Sequence, residues 1–368
     1  MFFSFLGLSP CYDFEQRRLV RPKLYRCYAT TVALFLLCLS LWQIYLRYCN
    51  LYNRTISISM LSEITLEFGI LFTIILTILG ATYWNRPTWI DLYLANNRLY
   101  TSKQFVAEAV KKTLLLRYDT VIFVTANVYI SCFILLNIHV IREHSGHAPY
   151  YFVTKFLLHY YKTPLSYVII NMTVVLKCRY ASVNELFKAC SCFKSRNNFV
   201  KSVREIKGIW MENDEKVQYF NRLFGWPILS LFFIFVLWIL NALIDCAAGT
   251  YKFDTLIEVA HVYHAEVRVV NAGSLLLTGF WLTAIIFCCD SVVREAEKLL
   301  TNCYKLEQTL PLLSKELEEL ESLKKLIKNK TPKLTAAGFF EIRRSTLLSL
   351  LSTTTTYFIV ALQFNSVK

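Results

Sequence analysis

Long uncharged apolar blocks, each followed by a polar or basic stretch, set the plan of this chain. Windows 27–46, 120–141, 223–244, 269–289 and 345–367 contain no Asp, Glu, Lys or Arg. Each has the roughly 20 residues that a helix needs to cross about 30 Å of hydrocarbon. Two weaker windows, 64–84 and 156–176, hold one charge each, Glu67 and Lys162. The pattern predicts an all-α polytopic membrane protein with seven spans. Composition agrees, with 55% hydrophobic residues and 27 Phe, 22 Tyr and 7 Trp in 368, well away from a soluble enzyme of this length.

The net charge of +14 would suggest a nucleic-acid partner if it were spread evenly. It alternates instead. Segments 1–26, 85–118, 177–222 and 290–337 hold 5, 6, 10 and 9 Lys and Arg, whereas 47–63, 142–149, 249–268 and the C-terminus hold 2, 1, 2 and 1. Basic loops stay in the cytoplasm, so the N-terminus is expected inside and the C-terminus outside, with no nucleic-acid role. The sequon Asn53-Arg54-Thr55 falls in an expected outside loop, which agrees; Asn171-Met172-Thr173 falls in a span and Asn329-Lys330-Thr331 in the cytoplasm. The apolar run Phe2 to Leu8 is too short for a cleaved signal, and the basic residues from Arg17 to Arg26 fit an uncleaved anchor whose start lies on the inner surface.

The joins after the fourth and sixth spans read as amphipathic helices. In the second, Leu306, Leu310, Leu313, Leu317, Leu320 and Leu323 or Ile327 recur at about 3.5-residue spacing among Glu and Lys. The first repeats the theme with Val183, Leu186, Phe187, Cys190, Phe193, Val200, Val203, Ile206 and Trp210. Such stripes are buried either against each other or against another subunit. The expected organisation is a cytoplasmic N-terminus at 1–26, a six-span ligand-binding bundle at 27–289 that includes cytoplasmic helices 177–222, a cytoplasmic helical anchor at 290–344, and a seventh span with a short outside tail at 345–368. Most of the 12 cysteines lie in spans or on the cytoplasmic side; Cys49 and Cys246 lie near the outer face, and their pairing is left open.

The last helix carries the chemistry. Ser349, Thr353, Thr356, Val360, Gln363 and Val367 follow one another at steps of three and four on one face, while Leu347, Leu348, Leu350, Leu351 and Phe358 cover others. A polar stripe on an apolar helix suits a water-lined pore; it also suits an ordinary membrane helix whose hydroxyls bond their own backbone. The ending Thr356-Tyr357, five apolar residues, Gln363-Phe364 resembles the C-terminal signature of insect gustatory receptors, as does the seven-span layout over the whole length. That resemblance implies a ligand-gated, non-selective cation channel of the plasma membrane that acts as a taste receptor. It implies four subunits, as a homotetramer or as a heteromer with related receptors, tied together by their cytoplasmic helices around a pore lined by the seventh helix. Val360, Gln363 and Phe364 would then form the outer constriction, Tyr357 would support the pore helix, and Thr353 and Thr356 would line it below. The implied partners are a small-molecule tastant, permeant cations and membrane lipid, with no cofactor. The seventh span lacks Asp and Glu, so weak discrimination among cations is expected.

Polar groups in the outer halves of the other spans are the candidate ligand contacts. Glu63 and Glu67 lie one turn apart in the second span; Lys155, His159 and Lys162 share a face of the fourth, which Pro164 is expected to kink. Lys162 would sit roughly 9 Å below the outer boundary, where a charge faces protein or water. Glu67 with Lys155 or Lys162 could form a structural ion pair or line a pocket, and the sequence leaves both open. Tyr129, Asn137 and Tyr160 join this set, and Trp238, Asn241, Asp245, Asn271 and Trp281 complete an aromatic cavity with a few polar anchors.

Other classes fit less well. A G-protein-coupled receptor would reverse the basic asymmetry, and neither Asp-Arg-Tyr after the third span nor Asn-Pro-x-x-Tyr in the seventh occurs. A transporter predicts internal repeats or paired broken helices, which the chain lacks. The six His, at 139, 144, 147, 159, 261 and 264, give no metal spacing at a common depth and no enzyme site. The remaining alternative is a seven-span receptor subunit, G-protein-coupled or simply ligand-binding, without its own pore.

Overall fold

A computed structural model describes residues 12–13, 18–19, 22–50, 58–84, 88–89, 128, 148–191, 196–251, 258–309 and 314–366. The third expected span, 120–141, lies outside the described residues apart from Val128, which is helical. Seven long helices carry the described chain: α1 (Pro22–Asn50), α2 (Ile58–Leu79), α3 (Ala148–Ser191), α4 (Arg196–Tyr251), α5 (Glu258–Thr309), α6 (Ser314–Asn329) and α7 (Arg344–Ser366). Two short antiparallel hairpins complete it, β1 (Tyr12–Asp13) with β2 (Arg18–Leu19), and β3 (Thr335–Ala336) with β4 (Phe340–Glu341).

Local chemistry explains several features of these helices. Proline opens α1, at the position where its missing amide costs nothing. In α2, Thr73 and Thr77 donate to carbonyls one turn back, which satisfies hydroxyls that hydrocarbon would leave stranded. The expected second span ends in a π-helical turn, Gly80–Trp84, where Thr82 donates to the Ile78 carbonyl. Pro164 and Pro227 sit inside α3 and α4, and both helices continue through them. Among the described residues, Lys23–Trp42, Ile64–Tyr83, Asn198–Leu240 and Leu275–Gln308 are long and apolar enough to cross a membrane.

The chain divides into two compact units, and α3, α4, α5 and α7 each contribute to both. Unit 1 comprises Met1–Tyr167, Pro227–Leu282 and Leu348–Lys368. Its interior holds Ile70, Ile74 and Ile78 of α2, Leu165 of α3, and Ile228, Ile234 and Trp238 of α4, all essentially inaccessible. Its exterior is also apolar: Phe35, Phe72, Phe233, Leu276 and Phe280 are all more than half exposed. In water such a surface would aggregate, whereas lipid solvates it at no cost.

Unit 2 comprises Val168–Trp226 and Thr283–Leu347. Trp210 is completely buried, meets Tyr180 edge-on at 5.1 Å between ring centres, and donates its indole N–H to the Lys330 carbonyl at 3.2 Å. Arg179, only 6% exposed, donates to Asn213 at 2.8 Å and pairs with Glu212 at 2.7 Å. Asn221 donates to the Lys333 carbonyl and accepts from the Thr335 amide, so one side chain fastens α4 to the entry of the β3–β4 hairpin. The stripes expected on these helices are largely interior: Val183, Phe187, Val203, Ile206, Leu306, Leu320, Leu323 and Ile327 are buried. Leu317 is only half-buried, and Glu316 takes the interior position beside it, so the seam turns by one residue there. Leu310, Leu313 and Phe193 lie outside the described residues.

The stretch 290–344 is not wholly helical, because the β3–β4 hairpin follows α6. Ala337 and Gly338 turn it with φ of 50° and 80°, the left-handed region that such a tight reversal requires. Gly225 of α4 packs directly on that turn: a Cβ there would lie 2.9 Å from the Ala337 amide nitrogen and 3.1 Å from its Cα. Backbone cannot move aside as a side chain does. Gly225→Ala should therefore cost about 1–3 kcal/mol through overpacking, read as a lower melting temperature of the solubilised protein; a melting temperature at or above wild type would contradict the close packing.

Ion pairs give unit 2 a defined pH response. Lys207 and Arg204 both donate to Glu319, at 2.6 and 2.8 Å, and hold its carboxyl below the usual range. Glu341 is lowered in the same way by Lys333 and then Arg343. A depressed carboxylate stabilises the fold above its unfolded pKa, and that contribution disappears as pH falls through the folded value. The Lys324 ammonium, raised by its hydrogen bonds to Glu307, contributes below its unfolded pKa and loses that contribution at strongly alkaline pH. Thermal stability should stay flat through neutrality and fall below about pH 4. Glu319→Gln should flatten part of that acid limb in melts run across pH.

Candidate functional site

Two parts of the structure collect the residues singled out by sequence. The first is α7, helical through Gln363 and Phe364. A narrow stripe anchors it within its own chain, with Thr354 at 3% exposure and Leu347 and Leu350 half-buried. Ser349, Thr353, Thr356 and Gln363, on a different face, are exposed, as are Leu348, Leu351 and Ile359. Thr353 donates to the Ser349 carbonyl at 2.8 Å and Thr356 to the Ser352 carbonyl at 2.9 Å. A carbonyl can only accept, so each proton points along the helix. The hydroxyl oxygens keep their lone pairs for whatever lies beside the helix. The side chains of Tyr357, Val360 and Phe364 lie outside the described residues.

The second part is a small cavity between α3, α4 and α5, of about 10 Å³, room for about one water. Lys162, Thr163, Ser166, Thr278 and Trp281 supply its polar wall, and Leu231, Leu277 and Leu282 its apolar one. Helical spacing explains the grouping: Lys162 and Ser166 are one turn apart on α3, as are Thr278 and Trp281 on α5. Lys162 is 5% exposed, donates to the Thr278 hydroxyl at 3.2 Å, and lies 5.9 Å from the centre of the Trp238 ring. The Trp281 indole N–H and the Thr163 and Ser166 hydroxyls are buried and make no hydrogen bond. Gly279 lets α5 approach α4 here, since a Cβ at that position would meet the Phe235 ring at 3.0 Å.

The structure therefore gathers Lys162 and Trp281 around one cavity, with Trp238 behind the ammonium. Glu67 is buried in α2 at 3% exposure but does not line this cavity, and Tyr160 is half-buried one turn above Pro164. Tyr129 and Asn137 lie outside the described residues, as do the side chains of His159, Asn241, Asp245 and Asn271. Sequence reading missed Thr163, Ser166 and Thr278; the signal was their position one turn from, or adjacent to, Lys162 and Trp281. Among the described residues no three His, Cys, Asp or Glu are placed to hold a metal ion.

The model of the 7tm chemosensory receptor family matches residues 1–368, the entire chain. The chain belongs to this family. Its fold is similar to that of the insect olfactory receptor OR5 from Machilis hrabei, solved in complex with eugenol. The TM-score is 0.61 over 99% of this chain and 96% of that one, at 14% identity. No curated protein sequence matches the chain. This chemosensory receptor is thus a membrane protein with the seven-span helical fold of insect chemoreceptors.

Proposed function

We propose that this receptor is a subunit of a ligand-gated, non-selective cation channel that responds to a small organic tastant, with α7 lining the pore. The exposed oxygen-bearing face of α7 carries the reading. A helix fastened to its own chain along Leu347, Leu350 and Thr354 presents Ser349, Thr353, Thr356 and Gln363 outward. Against lipid those groups gain nothing; around a water-filled axis their oxygens would face passing cations.

Four copies would place four such faces around one pore. Val360, Gln363 and Phe364 would then form the outer constriction and Tyr357 would brace it. The basic segments 177–222 and 290–337 support a cytoplasmic side for the helices of unit 2, which would join subunits beneath the plasma membrane. The eugenol complex of the Machilis hrabei receptor supports a small-molecule ligand for this chain, and the small α3–α4–α5 cavity marks where polar groups from three helices converge. A ligand opens the pore only by favouring the open arrangement, so the site must change shape with α7.

The test is expression of the chain alone in cells without other chemoreceptors, with current recorded under a tastant panel while G-protein signalling is blocked. Persistent ligand-evoked cation current supports the channel. Surface protein without current under every tastant would favour a receptor subunit that has no pore of its own.

A further inference from the structure

Unit 2 carries an aromatic pair that its own packing leaves uncovered. Trp226 is 51% and Phe339 71% exposed, and their rings meet edge-on at 6.2 Å between centres. Backbone geometry holds them together. Ala337 and Gly338 turn the β3–β4 hairpin, the Phe339 amide donates to the Ala336 carbonyl at 3.0 Å across the turn, and Gly225, next to Trp226, has no Cβ to push the turn away. Two large aromatics fixed in the open are a liability in water and mark a surface that something else covers.

Helix α4 sets the depth at which the pair lies. From Arg222 to Phe233 the exposed positions are Arg222, Trp226 and Phe233, spaced by four and seven, so they share one face. Phe233 lies well inside the uncharged window 223–244, on a surface that lipid solvates. Arg222 is the last charge before that window, and Trp226 stands about 6 Å beyond it along the helix axis. That is the depth of the membrane–water interface, where tryptophan collects. Beside the hairpin, Lys333 and Arg343 both pair with Glu341, each at 3.1 Å, so two cations share one carboxylate. A positive excess at that level suits anionic headgroups.

We propose that the β3–β4 hairpin is a membrane foot: Phe339 and Trp226 seat in the headgroup layer at the Arg222 end of the α4 span, and Lys333 and Arg343 meet anionic lipid headgroups beside them. The proposal goes beyond the channel reading and holds whether or not the chain conducts. Because α7 begins three residues after Glu341, the foot also fixes the level at which that helix enters the membrane.

The experiment uses the full chain with the photoreactive residue benzoylphenylalanine at position 339. Controls carry it at 72, on the lipid-facing side of α2, or at 211, exposed on α4 and about 22 Å from Trp226 on the side away from the window. Each protein is placed in nanodiscs of mixed phosphatidylcholine and phosphatidylserine, irradiated, and weighed by intact mass spectrometry. Position 339 should give phospholipid adducts as 72 does, at least about tenfold above 211. Phosphatidylserine should be over-represented about threefold among the adducts at 339 relative to its share of the lipid. Lys333→Gln together with Arg343→Gln should remove that enrichment without lowering the total. Benzoylphenylalanine at 226 gives the same reading if the 339 protein does not fold. Cross-links from 339 to a second copy of the chain, or lipid adducts no more frequent than at 211 while 72 labels, would overturn the proposal. An enrichment that survives the double variant would overturn the headgroup contact of Lys333 and Arg343.

Discussion

In the proposed channel, Phe364→Ala should raise the resting current at least about tenfold, a loss of about 1.4 kcal/mol in closed-state preference. The effect follows from the gate proposed at Phe364, one residue after Gln363 near the end of α7. Rings of Phe364 from several copies would make an apolar neck that water leaves when it narrows, and ions cannot pass a dewetted constriction. Alanine at that point leaves a neck wide enough to stay wet. Gln363→Ala, by contrast, should lower open-state conductance, because it removes amide oxygens from the wetted wall without widening the closed neck. Whole-cell current without ligand, normalised to surface protein, is the readout. An unchanged resting current in Phe364→Ala would place the gate elsewhere.

The largest loss of stability is expected for Trp210→Ala, about 3–5 kcal/mol. Its indole is fully enclosed, edge-on to Tyr180 and bonded to the Lys330 carbonyl, so truncation empties the middle of unit 2 and leaves an acceptor unmet. The melting temperature of solubilised protein should fall on the order of 5–10 °C. Trp210→Phe keeps most of the volume and loses only the N–H donor, so its cost should be closer to 1–2 kcal/mol. If the alanine variant melts with wild type, Trp210 does not centre that core.

Helical periodicity made much of this molecule legible in the sequence. Apolar windows marked the membrane helices because one helix alone has to satisfy hydrocarbon. The stripes through Val203, Ile206 and Trp210, and through Leu320, Leu323 and Ile327, became interior because each helix has one apolar side to hide. The polar stripe of α7 could be read from steps of three and four; Ser349, Thr353, Thr356 and Gln363 of that stripe are exposed, as are apolar residues on other faces such as Leu348 and Leu351. Other features need partners that no single-helix pattern contains. Lys162 meets Thr278 across a separation of 116 residues, so the cavity was visible only as unassigned polar residues on separate helices. The β3–β4 hairpin has strands of two residues each, too short for an alternating pattern, and its fit depends on Gly225 more than a hundred positions earlier. Glu316 in place of Leu317 at the seam shows the limit of a heptad read along one strip, since the neighbouring helices decide which of two adjacent residues turns inward.

Cysteine accessibility along α7 tests the central claim most directly. Single cysteines at 349, 353, 356 and 363, and on the far side at 351 and 355, are treated with a charged thiol reagent during ligand-evoked current. The account predicts block at the first four positions, faster with the channel open, and none at the last two. Equal reaction on both faces, or block at 351 and 355 alone, would contradict a pore lined by this helix.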